Sequence, residues 1–275
     1  MAEPALQIDE LARAAFAERG LILRKQMIPR DRVDRVRDEI YALFERHGAG
    51  SGGQWSAGRP GGELTARLRG SIKDRMKQSA ACQALSVPAL EDAAIELMDG
   101  EAARTFTDRP QVLFTPPDAS CWSVPLSFWH LDVPRLGIGG CPGVQSFCCI
   151  DAVVPGGGGT VVVSGSHKLV NDCGRVASRD VKKRLSRLPW FKELFSRADG
   201  GNRTALLSPQ TLSVDNGKPV TLQVVELCGE PGDVYLVDLR TLHSLAPNTA
   251  ARPRLAATQR YFRASVAGKL YAGQG

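Results

Sequence analysis

The sequence predicts a mainly β chain with helical support, folded as one jelly-roll domain. Three observations predict it. Amphipathic helical periodicity is concentrated in the first third of the chain, short apolar or β-branched runs dominate from about Thr105, and Gly and Pro punctuate those runs at close intervals. A length of 275 residues suits a single large domain. Its parts are helical support over about 1–104, a jelly-roll core over about 105–265, and an insert over about 171–218. No internal repeat is present.

The elements follow in order. Asp9 to Arg19 is a helix with Leu11, Ala15 and Phe16 on one side, and Gly20 is its C-terminal stop. Gly20 to Leu23 is a short strand. Arg30 to His47 is a clearer helix, with Val33, Val36, Ile40, Leu43 and Phe44 forming one apolar stripe at helical spacing. Gly48 to Gly62 is a Gly/Ser-rich loop around Trp55. Lys73 to Leu85 and Pro88 to Met98 are helical, with Pro88 suited to a first turn. Gln111 to Thr115 is a strand stopped by Pro116-Pro117, and Leu126 to Asp132 is another. Val144 to Val154 is a long apolar strand. Thr160 to Val163 is β-branched and extended. Asn171 to Lys218 interrupts the β pattern, with helical pieces at 181–188 and 190–195. Strands resume at Val220 to Leu227, Val234 to Asp238 and Leu255 to Phe262.

Composition excludes several classes. With 43% hydrophobic and 23% charged residues, the chain carries enough apolar material for a large core. No apolar run approaches the length of a membrane span, and no signal peptide opens the sequence. The net charge of +6 is spread out, and the densest basic patch, Arg179 to Arg184, reads as a solvated helix face rather than a nucleic-acid site. The seven cysteines are odd in number, without zinc-like spacing, and Cys148-Cys149 lie inside an apolar run as small hydrophobes. A reducing cytoplasm is the expected compartment, and a small molecule rather than a nucleic acid or membrane is the expected partner.

Phe128-Trp129-His130-Leu131-Asp132 is the stretch that carries chemistry. Side chains two apart on a strand share a face, so His130 and Asp132 would meet at one point with Leu131 turned away. His243 is the best third ligand. Two histidines and one carboxylate make the facial triad of non-haem Fe(II) sites. H-x-D alone is short enough to occur by chance, so the order of the surrounding motifs matters.

Those motifs resemble one family in sequence order. Phe16 to Gly20 followed by Leu21 to Leu23 is similar to the opening helix and strand of the phytanoyl-CoA dioxygenase family of Fe(II)/2-oxoglutarate oxygenases. Gln111 to Pro117 resembles its strand ending in two prolines, and Trp129 to Asp132 its W-H-x-D. Ser164 to Lys168 resembles its P-G-S-H-K segment, and Gly232 to His243 with Pro247-Asn248 and Arg252-Pro253-Arg254 its distal half. The likeness spans roughly residues 10–263. It implies a cupin-like double-stranded β-helix with N-terminal helices on the outer sheet. It implies Fe(II) on His130, Asp132 and His243, with 2-oxoglutarate as cosubstrate and O2 as oxidant. Arg254 would hold the distal carboxylate of 2-oxoglutarate, for which the planar guanidinium fork is suited. The expected reaction is oxidation, foremost hydroxylation, of an unactivated C–H bond of a small molecule, with succinate formed. Related halogenases replace the carboxylate ligand with a small residue, so Asp132 disfavours halogenation. The runner-up is a redox-silent metal-binding cupin-like enzyme or an inactive binding module.

Two departures touch the cosubstrate pocket. Thr115 stands where the family often has lysine, and Leu245 stands where serine is frequent, with Ser244 one place earlier. Thr115 and Ser244 are therefore the secondary cosubstrate candidates. His167 competes as third ligand, yet no arginine follows it at the distance that separates Arg254 from His243, so it reads as structural. His47 reads as a helix cap and Asp151 as a strand-end residue. Gly156 to Gly159 lacks the lysine and helix of a phosphate loop. Trp129 reads as core. Gln111 and Arg135 are candidate substrate contacts, and the insert, with Trp190, Phe191 and Phe195, is either a lid over the barrel mouth or packing on the outer sheet.

Overall fold

The computed structural model describes residues 8–105, 107–132, 140–170, 178–196, 203–213 and 218–271. The chain begins with α1 (Glu10–Arg19), capped by the Asp9 carboxylate, which accepts from the Ala12 N–H at 2.7 Å. Gly20 ends the helix in the left-handed region at φ 74°, and a Cβ there would come within 2.5 Å of His167 Nδ1. Then come β1 (Leu21–Arg24), α2 (Arg30–Arg46), a small hairpin of β2 (Gly50–Ser51) and β3 (Gln54–Trp55), α3 (Gly62–Met76), α4 (Ala80–Gln83) and α5 (Pro88–Leu97). The β region follows: β4 (Ala103–Arg104), β5 (Gln111–Thr115), β6 (Gly143–Cys149) and β7 (Thr160–Ser164). The insert supplies α6 (Ser178–Leu185), α7 (Pro189–Phe195) and β8 (Gln210–Ser213). The chain then runs through β9 (Pro219–Glu226), β10 (Val234–Asp238), β11 (His243–Leu245), β12 (Arg254–Arg263) and α8 (Ala264–Tyr271).

Two antiparallel sheets face each other. The larger has the order β1-β10-β6-β12, with β4 and β5 both pairing to the far edge of β12; the smaller has the order β11-β7-β9-β8. Leu21, Phe147, Val162, Leu227 and Val237 fill the space between them. This is the predicted jelly roll. Strand alternation sorts the larger sheet: Val144, Cys148, Leu255, Ala257 and Tyr261 point outward into the helical layer, while Gln145, Phe147, Cys149, Arg254, Ala256, Thr258 and Arg260 point inward. β6 is buried along its whole length because helices cover its outer face.

The helical layer is built on the α2 stripe. Val33, Val36, Ile40, Leu43 and Phe44 are all buried, as their spacing predicts. Phe44 packs edge-on against Tyr41 and Trp55 at ring-centroid distances of 5.2 and 5.0 Å, and tilted against Phe114 at 5.5 Å. His47 follows α2 as its cap residue, and its Nε2 lies 2.8 Å from the Ser71 hydroxyl. The aromatic residues Trp190 and Phe191 of α7 join Trp129, Val161, Val163 and Leu222 on the outer face of the smaller sheet. This part of the insert therefore packs on the outside of that sheet, one of its two expected placements.

Several sequence expectations are corrected. Leu11 is 82% exposed, because α1 turns Ala12, Ala15 and Phe16 to the core, with Phe16 its one buried residue. The helix expected from Lys73 begins earlier, at Gly62, and ends at Met76, before a separate turn of α4. The strand expected to run to Val154 stops at Cys149, where the chain turns away after pairing with β10 and β12. The insert contributes a strand of its own, β8, stitched to β9. Leu126 to Asp132 is not a strand: Phe128 adopts φ 63°, which breaks the pleat, and His130 forms only an isolated bridge to His243. β11 and α8 carry no strong periodic signal and were not anticipated.

Replacing Phe44 with alanine removes the hub of the aromatic cluster. The expected outcome is a loss of about 3–5 kcal/mol of unfolding free energy, read from the denaturant midpoint.

Candidate metal centre

The site is assembled at one bridge. His130 N–H donates to His243 O at 2.9 Å, and His243 N–H donates to His130 O at 3.1 Å. This pins the loop before Asp132 to β11 and sets the two imidazole rings 4.3 Å apart, centroid to centroid. Asp132 completes the cluster, with Oδ1 3.5 Å from His130 Nε2 and Oδ2 3.6 Å from His243 Nε2. One ligand atom from each of the three residues lies within 4.8 Å of the others. The structure thus brings together the three residues expected to ligate a metal. His167 is elsewhere: it is buried, and its Nε2 donates to Ala17 O at 3.0 Å at the end of α1.

Each imidazole is oriented from behind. His130 Nδ1 lies 2.7 Å from Phe128 O, and His243 Nδ1 lies 3.0 Å from Thr241 O. A carbonyl can only accept, so both Nδ1 atoms carry the proton and both Nε2 lone pairs face the cluster. The left-handed backbone of Phe128 turns its carbonyl inward for this contact. A proton taken up at His130 Nε2 would be hydrogen-bonded to Asp132, which raises the His130 pKa above its usual value, against the opposing effect of burial. Burial also opposes ionisation of Asp132, but the two imidazoles and the guanidinium of Arg260 outweigh it and hold the carboxyl far below the usual range. Asp132 is therefore an anion, as a metal ligand must be.

Arg254 lies on the inner face of the larger sheet, which faces the smaller sheet that carries His243, and is almost fully buried. Its Nε donates to Gly158 O and its Nη2 to Thr160 Oγ1, both at 2.9 Å, while Nη1 is buried without a partner. Gly158 must be glycine here, since φ is 78° and a Cβ would meet Asn248 Cβ at 2.8 Å. The Gly156–Gly159 turn is held by the Glu226 carboxylate, which accepts from Gly156 N at 2.8 Å and Gly159 N at 3.0 Å. That turn is a cradle for Arg254. Burial lowers the Arg254 pKa to about 10, so the group stays charged at neutral pH. Two imidazoles with a carboxylate suit Fe(II), and an orphaned buried guanidinium nitrogen suits a carboxylate.

The remaining candidates divide. Thr115 is the direct cross-strand neighbour of Arg254 and lines with it a groove of about 610 Å³. Gln111 lies further along the same groove, whose opposite wall includes Ile72 and Met76 of α3. Ser244 is not brought to Arg254: its hydroxyl donates to Ser127 O at 2.8 Å, on the opposite side of β11 from His243. Arg135 lies outside the described residues. Sequence reasoning missed Arg260, which bonds Asp132 directly. Its even spacing from Arg254 on one strand was the available signal.

No family model and no curated protein matches the chain. Solved structures do. AviO1 from Streptomyces viridochromogenes Tue57 is 19% identical with a TM-score of 0.53, over 94% of this chain and 97% of that one. The non-heme alpha-ketoglutarate-dependent carbocyclase SnoK from nogalamycin biosynthesis is 16% identical with a TM-score of 0.55, over 94% and 86%. EctD from S. alaskensis, solved with 2-oxoglutarate and 5-hydroxyectoine, is 16% identical with a TM-score of 0.55, over 96% and 82%. The likeness establishes the fold as the jelly roll of these proteins.

Asp132→Ala is expected to abolish tight Mn(II) binding, measured by the loss of the free-ion EPR signal on titration. In the wild type, binding strengthens as pH rises through the raised titration range of His130, because the metal needs the neutral imidazole.

Proposed function

We propose that the chain is an Fe(II)- and 2-oxoglutarate-dependent oxygenase that oxidises a C–H bond of a small molecule, hydroxylation being the leading outcome. The observation that carries this reading is the partnerless, fully buried Nη1 of Arg254 on the inner face of the larger sheet, which faces the sheet that carries His243 of the His130, Asp132 and His243 cluster. A redox-silent metal site has no use for a second buried cation aimed into the barrel. The SnoK and EctD likenesses and the motif resemblance to the phytanoyl-CoA dioxygenase family point the same way.

In this reading His130 and His243 offer Nε2 and Asp132 offers a carboxylate oxygen to Fe(II). Arg254 would hold the far carboxylate of 2-oxoglutarate through Nη1, with Thr115 beside it. Iron and 2-oxoglutarate together supply the oxidising power from O2, with the keto acid leaving as succinate and CO2. The chain's own work is orientation. Phe128 O and Thr241 O fix the imidazole tautomers, the Glu226-held glycine turn fixes the guanidinium, and Leu113 and Leu245 present apolar surface to the groove. No described helix is long and apolar enough to cross a membrane. The six cysteines among the described residues are free, which supports a reducing, cytoplasmic setting.

Anaerobic addition of Fe(II) and then 2-oxoglutarate is expected to produce the visible charge-transfer band of a chelated keto acid. The band should vanish in His243→Ala. Arg254→Lys keeps the charge but loses the fork, and should weaken 2-oxoglutarate by about ten- to a hundredfold with Mn(II) affinity retained. A wild type that binds iron without the band would overturn the oxygenase reading.

A further inference from the structure

β12 carries two inward arginines, and the triad stands between them. The inner face of the larger sheet can be read as cross-strand rows. Arg254 pairs with Thr115, Ala256 with Leu113 and Cys149, Thr258 with Gln111 and Phe147, and Arg260 with Gln145. His243 sits against Phe147, at a ring-centroid distance of 6.1 Å. Arg254 is therefore two inner-face rows to one side of the histidine, and Arg260 one row to the other. Six residues of strand separate their Cα atoms by about 20 Å. If Arg254 anchors the cosubstrate, Arg260 lies on the side left for the substrate.

Arg260 is built to hold an anion. Its Nε and Nη2 donate to Asp132 Oδ2 at 2.9 and 2.6 Å, which fixes the guanidinium plane beside the cluster. Nη1 makes no hydrogen bond among the described residues, and the side chain is 35% exposed. The neighbouring rows offer further hydrogen-bonding groups: Gln145 and Thr258 are buried and joined by a 3.0 Å hydrogen bond, and Gln111 is the cross-strand partner of Thr258. A cation held this close to a metal site is unfavourable once a divalent ion is in place, unless an anion faces it. Asp132 alone must then serve both the metal and Arg260.

We propose that Arg260 binds an oxyanion group of the substrate, through the edge that includes Nη1, while its Nε–Nη2 edge holds Asp132. The substrate is thus a small molecule bearing a carboxylate or phosphate within reach of the metal. This rests on the metal reading of the triad.

The test uses the full chain loaded with Mn(II) and an unreactive 2-oxoglutarate analogue, N-oxalylglycine, with acetate and phosphate as probes in parallel. Binding of Mn(II) is established first by EPR, so failure of the metal reading, which would remove the proposal as well, is seen before any probe is added. The NMR relaxation of the probe nuclei, 1H for acetate and 31P for phosphate, then reports an anion close to the metal. In the wild type one probe or both should show a saturable enhancement, and the stronger identifies the oxyanion. At saturating Mn(II), Arg260→Gln should weaken that binding by about tenfold or more, and Arg260→Lys should retain part of it as a point charge. Enhancement absent from the wild type, or undiminished in Arg260→Gln because the probe sits on the metal itself, would overturn the assignment.

Discussion

The site depends on the pair of backbone hydrogen bonds between His130 and His243. Among the described residues they are the one ladder contact of the segment that carries His130 and Asp132, yet they join residues 113 positions apart in the chain. Around that bridge everything else is orientation. Phe128 takes an unfavourable left-handed conformation so that its carbonyl can hold one imidazole, and Thr241 holds the other. Ser244 ties the same loop from behind through Ser127, and Trp129 anchors it in the outer core, with Nε1 donating to Pro125 O at 2.9 Å. Arg203 clamps the loop to the insert by donating to the carbonyls of Val124 and Pro125 as well as to those at the end of α7. The loop is held by carbonyls and hydroxyls rather than by a strand ladder.

The second constraint is the cost of buried charge. Arg254 gives up hydration for two hydrogen bonds and leaves one nitrogen unsatisfied, an arrangement that a folded chain tolerates when a ligand completes it. The glycine turn that receives it is held by Glu226, itself made harder to ionise by burial despite the amides it accepts. Asp132 resolves its burial the opposite way, through two imidazoles and Arg260. The inner face of one sheet thus carries charge at both ends of a strand, and the apolar outer face carries the stability.

That division of labour explains the two outer layers. The helices before β4 cover the larger sheet with the α2 stripe and its aromatic cluster, and the insert covers the smaller sheet with Trp190 and Phe191. Among the described residues neither layer contributes to the His130, Asp132 and His243 cluster. Arg69, Ile72, Lys73 and Met76 of α3 reach round the edge strand β5 to form a wall of the groove that leads to Arg254.

Periodicity and motif order were enough to read the jelly roll, the helical layer and the α2 core stripe, and to single out His130, Asp132 and His243, which the fold brings together, and Arg254, which it buries, because apolar spacing and residue chemistry are properties of the chain itself. The sequence could not tell how His130 and Asp132 meet. Alternation along a strand suggested that they share a face, whereas a bridge and a left-handed Phe128 bring them together, and a local pattern cannot reveal a contact to a residue 113 positions away. β8 and β11 were illegible for the same reason, since each is short and becomes a strand through its neighbour. Arg260 was written in the sequence as one more basic residue. Only the register of β12 and the closure of the Asp132 loop over it decided that it faces the candidate metal site, because a guanidinium acquires its role from the carboxylate that tertiary folding puts beside it.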